Sequence, residues 1–140
     1  HWATDADPNA SIEASTTGPD CARAVACGVD AIMVSNHGGR QLDGSRSPFD
    51  QIAEIADAVG GKVDIICDGG VRRGTHVLKA LAAGATACSG GRLYLYALAA
   101  AGEPGVDRVV GKLRDEIERG MKLMGVRSVS QLNSSMLRWR

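Results

Sequence analysis

From Pro19 onward the chain alternates between two hydrophobic rhythms. The short apolar run over residues 31–34 is the mark of a strand buried on both faces, and residues 63–67 and 85–88 read as the next and last strands. Between them, apolar positions recur three and four apart. Ile52, Ile55, Ala56 and Val59 make one helical face, and Val77, Leu78 and Leu81 make another. Start and stop signals fall where these rhythms change. Thr17 to Asp20 has capping-box spacing, with Asp in place of the usual Glu, and opens a helix that runs through Ala26 to a stop at Gly28. Ser47, Pro48 and Asp50 read as N-cap, first helical position and first-turn acid of a helix that Gly60 and Gly61 end. A helix over 74–83 is closed by Gly84, and further helices are expected over 93–101 and 106–124, with Met121 and Met124 read as core. One more short helix is expected around Leu132.

The first eighteen residues do not share this pattern. HWATDADPNASIEASTTG shows neither period 2 nor period 3.6, apart from a stub near Ile12, and reads as loop or disorder. The organisation expected is therefore an atypical segment, 1–18, before one domain, 19–140. Strand–helix repeats with short connections make a parallel sheet with right-handed crossovers. The pattern leaves two architectures open, a doubly wound sheet and part of a (β/α)8 barrel. In both, chemistry gathers at the C-terminal ends of the strands.

Composition narrows the function. Of 140 residues, 44% are hydrophobic and 23% charged, and sixteen basic residues balance sixteen acidic ones, so no global field favours nucleic acid or an anionic membrane. No apolar stretch approaches the roughly 20 residues of a membrane span, and no signal peptide is recognisable. A cytoplasmic location follows as an expectation, as does membership of a larger polypeptide, since the chain begins with His1. Cys21, Cys27, Cys67 and Cys88 lack C-x-x-C spacing and read as buried small hydrophobes in a reducing compartment, with a disulfide framework as the minor alternative. No metal-ligand spacing stands out.

Three strand ends carry residues capable of chemistry. SNHGGRQLDG, residues 35–44, follows the first apolar run. His37 is a candidate general base, since imidazole titrates near neutrality. Arg40 offers a planar fork to a carboxylate or phosphate. A base beside a carboxylate clamp suits oxidation of a 2-hydroxy acid; the plainer reading is that His37 caps a turn and Arg40 pairs with Asp43. The second strand end, DGGVRRG over 68–74, exposes backbone N–H groups at Gly69 and Gly70 before a helix start, with Arg72 and Arg73 adding positive charge. It reads as a phosphate cradle or, more plainly, as a βα turn with solvated arginines. The third, SGGR over 89–92, repeats the glycine–arginine theme before a short helix, as phosphate sites of barrel enzymes do. His76 is expected to be solvated, and Tyr94 and Tyr96 to pack rather than meet a cofactor.

Together these loops resemble the FMN-dependent 2-hydroxy-acid dehydrogenase and oxidase family, which includes L-lactate dehydrogenase, glycolate oxidase and mandelate dehydrogenase. SNHGGRQLDG is similar to that family's active-site signature, and DGGVRRGTHVLKALAAGA to its phosphate-binding segment. The likeness runs from about Cys21 to the end, through GRLYLYALAAAGEPGV; GMKLMGV and LRWR resemble the bacterial L-lactate dehydrogenase branch. The resemblance implies the C-terminal part of a TIM (β/α)8 barrel with FMN as cofactor. It also implies oxidation of an L-2-hydroxy acid, foremost L-lactate, with hydride transfer to flavin N5. It matches His37 to the catalytic base, Arg40 to the carboxylate-binding arginine and Ser35 to a position near the flavin ring. Asp68, Gly69, Gly70 and Arg72, with Gly91 and Arg92, match groups that hold the ribityl chain and phosphate. Implied partners are the hydroxy acid, an electron acceptor (quinone, cytochrome or oxygen) and further copies of the chain, with no nucleic acid. In the parent protein the location is the cytoplasm or the inner face of the cytoplasmic membrane. A non-catalytic FMN- or phosphate-binding remnant is the alternative.

Two departures stand out. A whole barrel takes roughly 250 residues, and the earlier strands are absent from this sequence. Counting back from Ser35, Glu13 falls where the family carries a lysine beside flavin N1. Opposite charges 4 Å apart attract by about 4 kcal/mol at an effective dielectric of 20, an attraction that a carboxylate there would reverse. The absence of strand patterning around Glu13 suggests instead that residues 1–18 stand outside the family's strand.

Overall fold

A computed structural model describes residues 11–13 and 17–138. Four strands alternate with four helices: β1 (Ser11–Glu13), α1 (Gly18–Ala26), β2 (Ala31–Ser35), α2 (Phe49–Val59), β3 (Asp64–Asp68), α3 (Gly74–Ala82), β4 (Ala87–Ser89) and α4 (Gly91–Met124). The strands lie side by side in chain order, every neighbouring pair parallel. This is the parallel βα architecture that the alternating rhythms imply.

β1 corrects an expectation. Its residues pair Ser11 with Ala31, Ile12 with Ile32 and Glu13 with Met33, in a stretch that reads as loop. Three residues are too few to display period 2, and the hydrogen bonds that define the strand come from β2, not from local sequence. The remaining residues of the 1–18 segment lie outside those described, except for the start of α1. There Thr17 Oγ1 accepts the Asp20 N–H at 3.3 Å, the predicted cap.

The core lies on one side of the sheet. Ile32 and Val34 of β2 and Ile65 and Cys67 of β3 point the same way and are buried with Cys21 of α1 and Ile52, Ile55 and Val59 of α2. The alternate residues Met33 and Ile66, paired in register, are only half-buried. Apolar runs predict burial on both faces. Among the described residues, helices cover one face alone, so the second stays partly open.

Other expectations shift by a few residues. The last strand starts at Ala87 rather than at residue 85. Pro48 takes the cap position of α2, while Ser47 Oγ accepts the Asp50 N–H at 3.3 Å as predicted. The two expected C-terminal helices form one element, α4, broken at Ala101 and Gly102 (φ 61°, ψ −147°), with Pro104 just beyond. The short helix expected near Leu132 is two 3-10 turns, Val129–Gln131 and Ser134–Met136. Met121 packs against Leu78, Ala82, Val126 and Leu132, whereas Met124 is exposed and not core. None of the four cysteines is in a disulfide; Cys21 and Cys67 are buried, and Cys27 is exposed at the end of α1. No helix among the described residues is long and apolar enough to cross a membrane.

Candidate active site

The parallel register lines up Ser35, Asp68 and Ser89 across β2, β3 and β4 at the strands' C-terminal ends. Ser35 is buried; its Oγ donates to Asp68 Oδ2 at 2.7 Å and accepts the His37 N–H at 3.1 Å. One hydroxyl therefore ties two strand ends together and fixes the first residue of the glycine loop.

That loop is strained where the chemistry falls. His37 has φ 53°, the one described non-glycine residue in the left-handed region, and Gly38 and Gly39 follow at 67° and 76°. Left-handed backbone in a residue with a Cβ costs about 1–2 kcal/mol and persists only where surroundings enforce it. Here Asn36 enforces it. Its side-chain oxygen accepts the Gly38 N–H at 3.0 Å, and its carbonyl accepts the Gly39 N–H at 2.9 Å. Arg92, arriving from beyond β4, donates to the Gly38 carbonyl at 3.2 Å, and a Cβ on Gly38 would collide with its guanidinium.

Between β3 and α3 the backbone turns through Gly69 (φ 129°) and Gly70 (φ 71°). A Cβ at Gly69 would press on Pro48 at 3.0 Å, whereas one at Gly70 or Gly91 would meet nothing within 4 Å. Open space therefore faces both of the latter glycines. His76, expected to be solvated, is partly buried instead: its Nδ1 lies 3.1 Å from the Gly70 carbonyl and 3.3 Å from the Arg72 N. Arg73 also departs from expectation. It does not line the cleft but turns toward Glu116 of α4.

The nine residues that the family resemblance matches to the site line one cleft of about 490 Å³: Ser35, His37, Arg40, Asp68, Gly69, Gly70, Arg72, Gly91 and Arg92. The plainer pairing of Arg40 with Asp43 is not among the ion pairs of the described residues, and Asp43 Oδ1 instead lies 2.9 Å from where a Gly39 Cβ would stand. Val71 and, from α4, Leu93, Leu95 and Tyr96 also line it without having been predicted as site residues, and Tyr96 is 68% exposed rather than packed. Helical spacing alone could not distinguish a core face from a cleft wall. Burial pushes the Cys67 and Cys88 thiols up to about 12 and about 11, which removes both as thiolate nucleophiles at neutral pH.

The cleft fits a phosphate-bearing cofactor. It combines three arginines (Arg40, Arg72 and Arg92), glycines with open space beside them, a hydroxyl–carboxylate pair at the strand ends, and an apolar wall of Leu93, Leu95 and Tyr96.

Parallel βα units with a basic, glycine-lined cleft at the strand C-termini are the arrangement in which barrel enzymes frequently build a phosphate site. The particular family follows from comparison. Residues 16–139 match the model of the FMN-dependent dehydrogenases. The chain is 51% identical over 120 residues to an L-lactate dehydrogenase of Alcaligenes faecalis, covering 85% of this chain and 32% of that protein. It is 48% identical over 121 residues to 2-hydroxyacid oxidase 1 of Mus musculus, covering 86% and 33%. Among solved structures it superposes on a flavocytochrome b2 variant with pyruvate bound (TM-score 0.88, 42% identity, 91% and 34% covered). It also superposes on a monotopic membrane (S)-mandelate dehydrogenase (TM-score 0.89, 38% identity, 93% and 34% covered). The chain belongs to the FMN-dependent dehydrogenase family, and its parallel βα units are part of a TIM-barrel fold. It spans about a third of the length of the curated relatives it matches.

Proposed function

We propose that the protein to which these residues belong oxidises an L-2-hydroxy acid, foremost L-lactate, to the 2-oxo acid with FMN as cofactor. The observation that carries this reading is the convergence of His37, Arg40 and the two glycine–arginine loops on one cleft. Bound FMN supplies a two-electron acceptor. The protein's own residues do the rest. Arg40 holds the substrate carboxylate by a charge-assisted fork. The His37 imidazole takes the proton of the substrate hydroxyl, from a backbone whose orientation Ser35 and Asn36 fix. Asp68, Gly69, Gly70, Arg72, Gly91 and Arg92 would hold the ribityl and phosphate groups, and Ser35 would lie on the side of the ring. Relatives named for L-lactate support that substrate, and those named dehydrogenase, oxidase and flavocytochrome support an acceptor drawn from quinone, oxygen or cytochrome.

A second reading is a binding remnant that holds FMN without turnover. It is favoured by the half-open face of the sheet at Met33 and Ile66 and by the span of a third of the relatives. The two separate in one experiment, an FMN titration of this chain followed by anaerobic L-lactate. Binding with bleaching of the flavin supports the enzyme, and binding without bleaching supports the remnant. Absence of binding assigns the chemistry to the longer polypeptide alone.

A further inference from the structure

The loop between β3 and α3 carries two adjacent arginines, and the fold gives them different tasks. Arg72 lines the cleft. Arg73 leaves it: its Nε–H lies 2.9 and 3.0 Å from the two carboxylate oxygens of Glu116. Glu116 Oε2 also accepts the Gly74 N–H, at 2.8 Å. The Glu116 side chain is 12% exposed against 63% for Arg73, so the carboxylate sits within the contact between α3 and α4. Taking a carboxylate out of water is unfavourable unless hydrogen bonds compensate, and Arg73 and the Gly74 N–H supply them, holding its carboxyl below the usual carboxylate range. Gly74 makes the delivery possible. A Cβ there would come within 2.6 Å of both Glu116 Cβ and the Ile117 N, so only glycine lets α4 approach this closely.

This arrangement restricts where an anion can sit. The start of a helix attracts negative charge through its free N–H groups. At α3 the first N–H is already taken by a carboxylate, and the neighbouring cation is neutralised by the same group. A phosphate at that point would face the Glu116 charge. Besides Arg40, the cations left to the cleft are Arg72 and Arg92, which line it together with Gly69 and Gly70. Within the loop, Arg72 is anchored on one side by His76 and on the other by the clamped Arg73 and Gly74.

We propose that Glu116 is a positioning residue of the phosphate cradle. It withdraws Arg73 and the α3 start from the ligand and fixes the loop so that Arg72 presents its guanidinium to the cleft. The inference rests on the FMN reading above and adds to it a residue about forty positions away in the chain, on a different helix.

The test compares FMN with riboflavin, which lacks the phosphate, by fluorescence titration of this chain and its Glu116→Gln variant. Losing the support of one charged contact is expected to weaken FMN roughly tenfold and to leave riboflavin within about twofold. Arg73→Gln keeps the Glu116 to Gly74 bond and should lose FMN affinity by a smaller factor, which provides a second variant should Glu116→Gln fold poorly. Unchanged FMN affinity in both variants, or an equal loss of both flavins, overturns the proposal. If the unsubstituted chain binds neither flavin, the FMN reading fails for this chain, and amide hydrogen exchange decides the inference separately. Faster exchange at Gly69 to Arg72 in Glu116→Gln, with β2 unchanged, supports it; unchanged exchange at the loop overturns it.

Discussion

At the scale of single residues, the site is built on backbone that most side chains avoid. Gly38 combines φ 67° with the Arg92 guanidinium packed where a Cβ would be. Gly38→Ala is therefore expected to destabilise the chain by at least about 1–2 kcal/mol through the left-handed conformation alone, read as a lowered urea midpoint. His37 pays a similar cost without glycine's freedom, a pattern that accompanies functional sites. In the proposed reaction His37→Gln should leave FMN binding intact and slow flavin bleaching by L-lactate roughly 10²–10⁴-fold; bleaching at the unsubstituted rate removes His37 from the base role. Thiol chemistry should divide the same way as burial. At pH 8 iodoacetamide should label exposed Cys27 well before Cys67 and Cys88, whose thiols burial pushes up to about 12 and about 11. Mass spectrometry of a time course checks the order.

At the scale of elements, glycines decide how closely helices meet. Gly74→Ala would place a methyl 2.6 Å from Glu116 Cβ and the Ile117 backbone. Neither can move without shifting α4, so a loss of about 1–3 kcal/mol is expected, measured by urea denaturation. The sequence made α1, α2 and α3 legible because their caps and apolar faces are local signals: Thr17, Ser47 and the Ile52–Ile55–Val59 stripe each act within one or two turns. β1 was not legible. A strand of three residues carries no period, and only its pairing with Ala31, Ile32 and Met33 makes it one. The break in α4 at Ala101 and Gly102 was readable as two helices, though not as one continued element.

At the scale of the whole molecule, charge pairs between elements set the response to acid. Glu116 is held below the usual carboxylate range by Arg73 and the Gly74 N–H, and Glu54 by Arg46 and the Gly18 N–H. Both folded-state values are lowered relative to the unfolded chain, so their contribution is fully present above about pH 4.3 and is lost as pH falls through the depressed values. Urea midpoints should change little from these groups between about pH 7 and 5 and fall below about pH 4; Glu116→Gln should flatten part of that fall. The sheet has β1 and β4 as its outer strands among the described residues, each with an unpaired edge. Such edges template pairing with other chains. Self-association of this chain is expected by sedimentation velocity, and a compact monomer would count against it.

The sequence by itself determined the alternation of strands and helices, the three glycine loops, and which residue types stand at each strand's end. Those signals are local: period, cap and turn chemistry act over a few residues. Only the tertiary structure decided that Ser35 meets Asp68, that Arg92 reaches back to Gly38, and that Arg73 faces Glu116 rather than the cleft. Each of these joins residues more than thirty positions apart. Two adjacent arginines look alike along the chain; Arg73 leaves the loop toward Glu116 on α4, whereas Arg72 lines the cleft.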